Sequence, residues 1–131
     1  MKKHKFVCER IINASPRMIY PYLSSASGLE QWFCDKVIVN EDKTFNFIWD
    51  NQNHFAEMTN HRLNKSVRFV FLTDDKKHEP DASYMDFTIE TSDLTQEQYL
   101  RVIDYSDEED MEEMKELWDG LIVSLREIIG G

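Results

Sequence analysis

The sequence predicts an α+β fold in which a curved antiparallel sheet of about seven strands wraps around one long C-terminal helix. Between residues 36 and 105 apolar side chains recur at every second position, as in half-buried strands. After residue 106 they recur every three to four positions, as in an amphipathic helix. The predicted order is one strand, two short helices, six strands and one long helix. A sheet with a single long helix has to curl around it to cover the apolar surfaces of both.

Length and composition indicate a single domain over residues 1–131 with a core of its own. Hydrophobic residues make up 41% of the chain, and eight Phe, five Tyr and three Trp are among them. Cys8 and Cys34 have neither a disulfide framework nor a metal-ligand spacing. The N-terminus lacks the apolar segment of a signal peptide, and no stretch approaches the roughly 18 apolar residues of a membrane span. We therefore expect a cytoplasmic protein with no membrane span and with free thiols.

The charge distribution argues against nucleic-acid binding. The net charge is −10, and all of the acidic excess lies in residues 71–131. Such a surface repels phosphate backbones, and the weakly basic first half has no Lys/Arg cluster with interleaved aromatic residues. Nucleic acid is therefore not an expected partner.

The first strand is predicted at residues 5–13, which are short, β-branched and aromatic-rich. Ser15 then suits the N-cap of a first helix, and Pro16 suits its first turn. Pro21 lies inside this helix and removes one of its hydrogen bonds, so the helix should be short or kinked.

A second short helix is predicted to begin at Ser27, because Ser27 and Glu30 have the spacing of a capping box. Its apolar side consists of Leu29, Trp32 and Phe33. A curled sheet has an open end, and we expect Trp32 and Phe33 to turn inward and close it.

Six further strands are predicted from the alternation of apolar and polar residues. They cover residues 36–40, 43–50, 54–62, 65–73, 83–91 and 98–105. Glu41-Asp42 and Leu63-Asn64 are the predicted hairpin turns. The last strand has two rival apolar faces, one with Leu100 and Val102 and the other with Tyr99, Ile103 and Tyr105, and the pattern does not decide between them.

The C-terminal helix is predicted to start at a second capping box, formed by Ser106 and Glu109, and to stop at Gly130. At about 1.5 Å per residue its roughly twenty residues would span about 30 Å. Its predicted apolar stripe consists of Met111, Met114, Trp118, Leu121, Leu125 and Ile128.

Several of these motifs together resemble a known family. They are Asn13-Ala-Ser-Pro16, then Ser27-Gly-Leu-x-x-Trp-Phe33 followed by Asp35 and Val37, then Phe45-x-Phe-x-Trp49, and a terminal helix bearing Trp118. This pattern resembles the START-like (Bet v 1-like, SRPBCC) helix-grip superfamily. Within it the chain is most similar to small bacterial stand-alone forms of the branch related to the C-terminal domain of the Hsp90 ATPase activator. The resemblance covers essentially the whole chain and implies a helix-grip fold around a deep hydrophobic cavity.

The resemblance does not imply one activity, because relatives bind lipids, sterols or hydrophobic metabolites and a few are cyclases or hydrolases. We expect non-catalytic binding of a hydrophobic small molecule or lipid in a cavity between the sheet and the C-terminal helix. The first alternative is a protein-interaction module, similar to a chaperone cofactor, with a filled core. The second is a cyclase or hydrolase-type enzyme. The residues predicted to line the cavity are Trp32, Phe33, Phe47, Trp49, Met58, Phe69, Phe87, Met114, Trp118 and Leu121.

No catalytic residue, metal or cofactor is predicted. The sequence has no Gly-rich phosphate loop, and His4, His54, His61 and His78 form no metal-binding motif. Neither cysteine has a nearby histidine signal that would activate it as a nucleophile. Polar candidates for acid–base chemistry alternate with apolar residues along the strands, which points most of them outward. They are Glu57, Arg68, Asp86, Glu90, Arg101 and Asp104.

Overall fold

A computed structural model describes residues 2–130 and confirms the α+β helix-grip architecture. Seven antiparallel strands form one sheet in the order β1-β7-β6-β5-β4-β3-β2. The elements are β1 His4–Ile12, α1 Pro16–Ser24, α2 Ala26–Glu30, β2 Lys36–Val39, β3 Phe45–Trp49, β4 Gln52–Arg62, β5 Ser66–Phe71, β6 Tyr84–Thr91, β7 Gln98–Ser106 and α3 Met111–Ile129.

The strand order explains why two helices follow β1. The first strand pairs with the last one, from His4 opposite Ser106 to Ile12 opposite Gln98, whereas β2 lies at the other edge of the sheet. The chain therefore has to cross the whole sheet between β1 and β2, and α1 and α2 make that crossing. The register of β4 against β5 shifts between Thr59 and Arg62, an irregularity of the kind that bends a sheet.

The concave face of the sheet and α3 bury the core between them. Val67 and Phe69 of β5, together with Phe87 of β6, are fully buried. Leu100 and Val102 are also fully buried, whereas Tyr99, Ile103 and Tyr105 are only half-buried. The tertiary structure thus decides which face of β7 points inward.

The apolar stripe of α3 differs from the predicted one at both ends. The buried residues of the helix are Met114, Trp118, Ile122, Leu125 and Ile129. Met111 and Ile128, which the sequence places on the stripe, are 36% and 37% exposed, and Leu121 is half-buried. The predicted stripe has an average spacing shorter than the 3.6 residues of one helical turn. Its residues therefore drift around a straight helix and leave the side that contacts the sheet.

The helix starts confirm one predicted cap and correct two. The Ser15 hydroxyl accepts a hydrogen bond from the Met18 N–H at 3.3 Å, as expected. The prediction of a cap at Ser27 is wrong, because α2 begins two residues earlier and Ser25 caps it, accepting from the Gly28 N–H at 3.0 Å. The end of α1 explains the shift, since Ser25 is both the C-cap of α1 and the N-cap of α2.

The cap predicted at Ser106 is also wrong. Ser106 is the last residue of β7, and four residues separate this strand end from α3. Asp110 caps the helix instead, with its carboxylate accepting from the Glu113 N–H at 3.1 Å. Gly130 ends the helix in the left-handed conformation at φ 83°, as predicted.

Two polar contacts attach α3 to the edge strand β1. The Arg10 guanidinium donates to the Asp119 carboxylate, with 3.1 Å between Nε and Oδ1. Arg126 donates from Nε to the carbonyl of Ile11 at 2.9 Å. These contacts attach the middle and the C-terminal part of α3 to β1.

Candidate functional site

A cavity of about 640 Å³ lies between the N-terminal half of α3 and the ends of the central strands. Phe33, which follows α2, forms one wall, and Met114, Leu117, Trp118 and Leu121 of α3 form another. The remaining lining residues come from strand ends and the loops that follow them: Trp49, Asp50, Asn53, His54, Phe55, Phe71, Leu72, Asp74, Ser83, Met85, Asp104, Tyr105, Ser106 and Asp107.

Packed aromatic rings build the apolar part of the wall. The ring of Phe33 stacks on Trp118 with 5.9 Å between centroids, and its edge meets Trp49 at 6.0 Å. Trp49 in turn stacks on His54 at 3.5 Å. His54 is oriented by its own contact, since Nδ1 lies 3.0 Å from the carbonyl oxygen of Phe47. The rings fix one another, which makes this wall a preformed surface.

The structure brings five of the ten predicted lining residues to the cavity, namely Phe33, Trp49, Met114, Trp118 and Leu121. The other five lie behind the wall. Phe47, Phe69 and Phe87 are fully buried in the core, and Met58 is half-buried against it. Trp32 is 5% exposed, and its Nε1–H donates to the carbonyl of Tyr22 at 2.7 Å. This bond holds Trp32 against α1 and leaves Phe33 as the neighbour that faces the cavity.

Asp104 is one of the charged strand residues that the sequence analysis expected mostly to point outward, and the structure turns it inward. It lies on the same face of β7 as Leu100 and Val102 and therefore points toward α3. Its Oδ2 accepts a hydrogen bond from Trp118 Nε1–H at 2.8 Å. Burial raises the pKa of the Asp104 carboxyl, and the bond from Trp118 opposes this in part. Its spacing of two and four residues from Val102 and Leu100 is the signal that could have found it.

The other charged candidates on the strands contact polar partners on the outer face. Arg68 pairs with Asp86 across β5 and β6 at 3.0 Å. Arg101 pairs with Glu90 at 2.8 Å. Glu57 contacts His78 at 2.9 Å, and both of these side chains are largely exposed. The expectation that most of the charged candidates point outward is therefore correct for these residues.

The mouth of the cavity is shaped by the hairpin that joins β3 to β4. Asp50 and Asn51 both have left-handed backbones, at φ 54° and 57°, which suits a tight two-residue hairpin turn. The turn brings Asp50 and Asn53 to the rim beside Trp49. Asp74 and Asp107 are exposed in loops on the other sides of the same opening.

Comparison with known proteins identifies the family. The model of the START-like superfamily domain matches residues 1–131. The chain belongs to the START-like superfamily. In this helix-grip family ligand binding is common.

Solved structures show the same fold. The Aha1 dimer from Colwellia psychrerythraea is 20% identical, with a TM-score of 0.74 over 96% of each chain. A Bacteroides fragilis protein, BfR322, is 31% identical, with a TM-score of 0.62 over 98% of this chain and 92% of the other. Protein MLL2253 from Mesorhizobium loti is 18% identical, with a TM-score of 0.74 over 97% of each chain. No curated protein matches the sequence.

The thiols of this START-like domain are not activated. Cys8 is buried and Cys34 is half-buried, and burial raises the pKa of both thiols. A raised pKa keeps a thiol protonated and a poor nucleophile. Within residues 2–130 no group of three or more His, Cys, Asp or Glu side chains is placed to hold a metal ion. Across the same residues, none of the helices has the length and apolar character needed to cross a membrane.

Proposed function

We propose that this START-like domain binds a hydrophobic small molecule or lipid, without transforming it, in the cavity between the sheet and α3. The observation that carries the proposal is the cavity itself. Its volume of about 640 Å³ lies within the range of about 300–1,000 Å³ that is usual for small-molecule sites. Its walls combine aromatic and aliphatic side chains with a few polar groups, as such sites do.

The apolar walls suffice to provide useful affinity. Each Å² of apolar surface removed from water contributes about 25 cal/mol, so a ligand that buries about 300 Å² gains roughly 7 kcal/mol before ordering costs. Phe33, Trp49 and Trp118 are already packed against one another, so little side-chain ordering opposes binding. A gain of this size corresponds to a Kd of about 10 µM before ordering costs, so we expect a Kd of roughly 10–100 µM.

The cavity favours this proposal over a protein-interaction module, for which we expected a filled core. A module of that kind has no need for an opening lined by Met114, Leu117 and Leu121 on its longest helix. The enzyme alternative needs an acid or base beside a ligand, and Asp104 is the side chain that invites that test.

The binding experiment is a fluorescence titration with a panel of fatty acids, fatty amines, sterols and aromatic polyketides. Trp49 and Trp118 line the cavity, so occupancy should change their emission. At least one panel member should bind with a Kd below about 100 µM. Recovery of the bound compound unchanged by mass spectrometry supports binding without catalysis, whereas its conversion supports the enzyme alternative.

A matched pair of variants locates the site. Leu121→Phe adds a ring to the cavity wall and should weaken binding by about tenfold or more, because the added volume displaces ligand. Val123→Phe adds the same ring type two residues away, at a position that is 49% exposed, and should leave the Kd unchanged. Equal effects of the two variants, or no binding by any member of the panel, would overturn the proposal.

A further inference from the structure

We propose that the cavity selects cationic amphiphiles, molecules with an apolar body and a protonated amine, over neutral and anionic ones. This inference rests on the proposed binding function and specifies the class of ligand. It is carried by the charge of the lining residues, by the position of Asp104 and by the aromatic rings beside it.

The charged groups of the lining all have the same sign. Asp50, Asp74, Asp104 and Asp107 line the cavity, and the lining contains neither Lys nor Arg. Three of these carboxylates lie at the exposed rim, while Asp104 lies deeper, against α3. Walls of one sign attract an oppositely charged ligand and repel a like-charged one.

Three lysines lie near the lining. Lys2 shares a neighbouring surface pocket with Asp107 and several glutamates. Lys3 donates from Nζ to the hydroxyl of Ser83 at 2.8 Å. Lys76 is 3.5 Å from the carboxylate of Asp42, and its ammonium lies over the ring of Phe55. None of the three lysines is itself a lining residue. Their three charges do not balance the four carboxylates, so the opening stays acidic.

Asp104 is placed to meet an ammonium group. Its Oδ2 is held by Trp118, and no described residue donates a hydrogen bond to its Oδ1. The carboxylate is therefore anchored through one oxygen, and the other is left to accept from a ligand. Burial raises the pKa of this carboxyl, because the charged carboxylate loses hydration that the Trp118 hydrogen bond replaces only in part. A cationic ligand in the cavity would compensate for this lost hydration.

The aromatic rings around Asp104 favour the same charge. Trp118 donates to this carboxylate and stacks on Phe33, and Trp49 lines the same cavity. The faces of such rings attract cations, most strongly where water is excluded. A fatty acid would gain the same apolar contacts, but its carboxylate would face four carboxylates with no Lys or Arg in the lining to pair with.

The experiment compares three ligands with the same chain, decylamine, decanol and decanoate, by calorimetric titration at pH 7 below their aggregation limits. Decylamine should bind at least about tenfold more tightly than decanol, and decanoate at least about tenfold more weakly. Equal affinities, or tighter binding of decanoate, would overturn the inference and leave the proposed function standing. Failure of all three to bind, together with the wider panel, would overturn both.

Variants test the assignment to Asp104. Asp104→Asn keeps the oxygen that accepts from Trp118 and should lower the affinity for decylamine by about tenfold while leaving that for decanol unchanged. Asp93→Asn removes the same charge from an exposed loop outside the cavity and should change neither. An equal loss of affinity in both variants would show that the effect comes from net charge alone, and it would contradict the assignment of the ammonium contact to Asp104.

A rim variant keeps the inference testable if Asp104→Asn does not fold. Asp50 has a left-handed backbone, a conformation that Asn adopts readily, so Asp50→Asn should fold normally. It should weaken decylamine binding by about two- to threefold, because exposed charges are screened more than buried ones. An unchanged preference for decylamine over decanol in this variant would count against the rim carboxylates.

Discussion

At the scale of single residues, Asp104 and Trp118 are the most informative pair. A carboxylate at the edge of an apolar core is costly, and the indole N–H supplies one hydrogen bond at 2.8 Å in return. The same contact fixes the indole ring among Phe33, Phe87 and Trp32, whose centroids lie 5.9 to 6.5 Å away. One hydrogen bond thus orients both the polar group and an aromatic wall of the cavity.

The pH dependence of folding should report on Asp104. Burial raises the pKa of this carboxyl above its usual 3.8, so the folded state holds the proton more tightly than the unfolded state. Its contribution to stability is therefore present at pH values below 3.8 and is lost as the pH rises through the raised pKa. Asp104→Asn should consequently gain stability relative to the native protein between pH 3.5 and pH 7.

The measurement is urea unfolding at both pH values, with Asp93→Asn as the control. The difference between Asp93→Asn and the native protein should not depend on pH, because Asp93 is exposed. A pH-independent difference for Asp104→Asn as well would show that this carboxyl is not desolvated in the folded state.

Trp118→Ala should lower the free energy of unfolding by about 3–5 kcal/mol, since it empties a site in which the side chain is 1% exposed. Leu117→Ala, on the same helix but 50% exposed, should cost less than about 1 kcal/mol. Urea denaturation measures both, and a loss below about 1 kcal/mol for Trp118→Ala would contradict its position in the core.

At the scale of elements, the helix starts show how local and tertiary signals compete. Both predicted capping boxes have the right residue types, yet the caps are Ser25 and Asp110. At α2 the end of α1 decides, and at α3 the length of β7 decides, because Ser106 is still paired with His4. A capping motif indicates where a helix can begin. The neighbouring helix end or strand pairing then determines which of these positions is available to start it.

The cap of α3 can be tested by substituting Asp110 and, as a control in the same segment, Ser106. Asp110→Ala should cost about 1 kcal/mol and increase hydrogen exchange at Glu113, whose N–H loses its acceptor. Ser106→Ala should cost less and leave exchange at Glu113 unchanged, because its hydroxyl accepts from Glu108 instead. Equal protection of Glu113 in Asp110→Ala and the native protein would refute the assignment of the cap.

The junction of α1 and α2 depends on a glycine. A Cβ at Gly28 would overlap the carbonyl oxygen of Pro21 and lie 2.7 Å from Cα of Tyr22. Both neighbours are backbone atoms, so they cannot turn aside. The two short helices can pack this closely because position 28 has no side chain.

Gly28→Ala should therefore destabilise the protein by about 1–3 kcal/mol in a urea melt. Gly120→Ala is the matched control, because nothing lies within 4 Å of a Cβ at this exposed position of α3. There alanine should stabilise the helix by about 0.5–1 kcal/mol through its higher helix propensity. Effects of the same sign at both positions would contradict the close packing at Gly28.

At the scale of the whole molecule, the cavity lies between elements that are far apart in sequence. Phe33, Trp49, Met85 and Leu121 all line it, so a ligand bound there would contact the segment after α2, the sheet and α3 at once. A ligand bound only to the folded state should stabilise all of these elements together.

Decylamine at about 100 times its Kd should add about 2.7 kcal/mol to the free energy of unfolding. Thermal unfolding measures this as a rise in Tm, which Leu121→Phe should reduce by about half or more, in line with its weaker binding. An unchanged Tm of the native protein would contradict binding to the folded state.

Much of this architecture is determined by the sequence alone. Alternating Met85, Phe87 and Ile89 allow one face of β6 to be buried, and Gly130 can end α3 because its backbone accepts φ 83°. Ser15 and Pro16 begin α1 for equally local reasons. These features depend on short-range patterns, namely a period of two, a period of 3.6 and the conformational limits of single residues, and the family motifs are built on the same patterns.

The tertiary structure decided what depends on residues distant in the chain. The two rival faces of β7 are equivalent by pattern, and α3 selects Leu100 and Val102 by covering them. Asp104 follows them onto the inner face, where Trp118, fourteen positions later, supplies its hydrogen bond. The separation of Phe33, which faces the cavity, from Trp32, which is buried behind it, is likewise set by the bond from Trp32 to Tyr22. Every apolar residue favours burial, and only the packing of helix against sheet determines which of them fill the core and which line the space that is left.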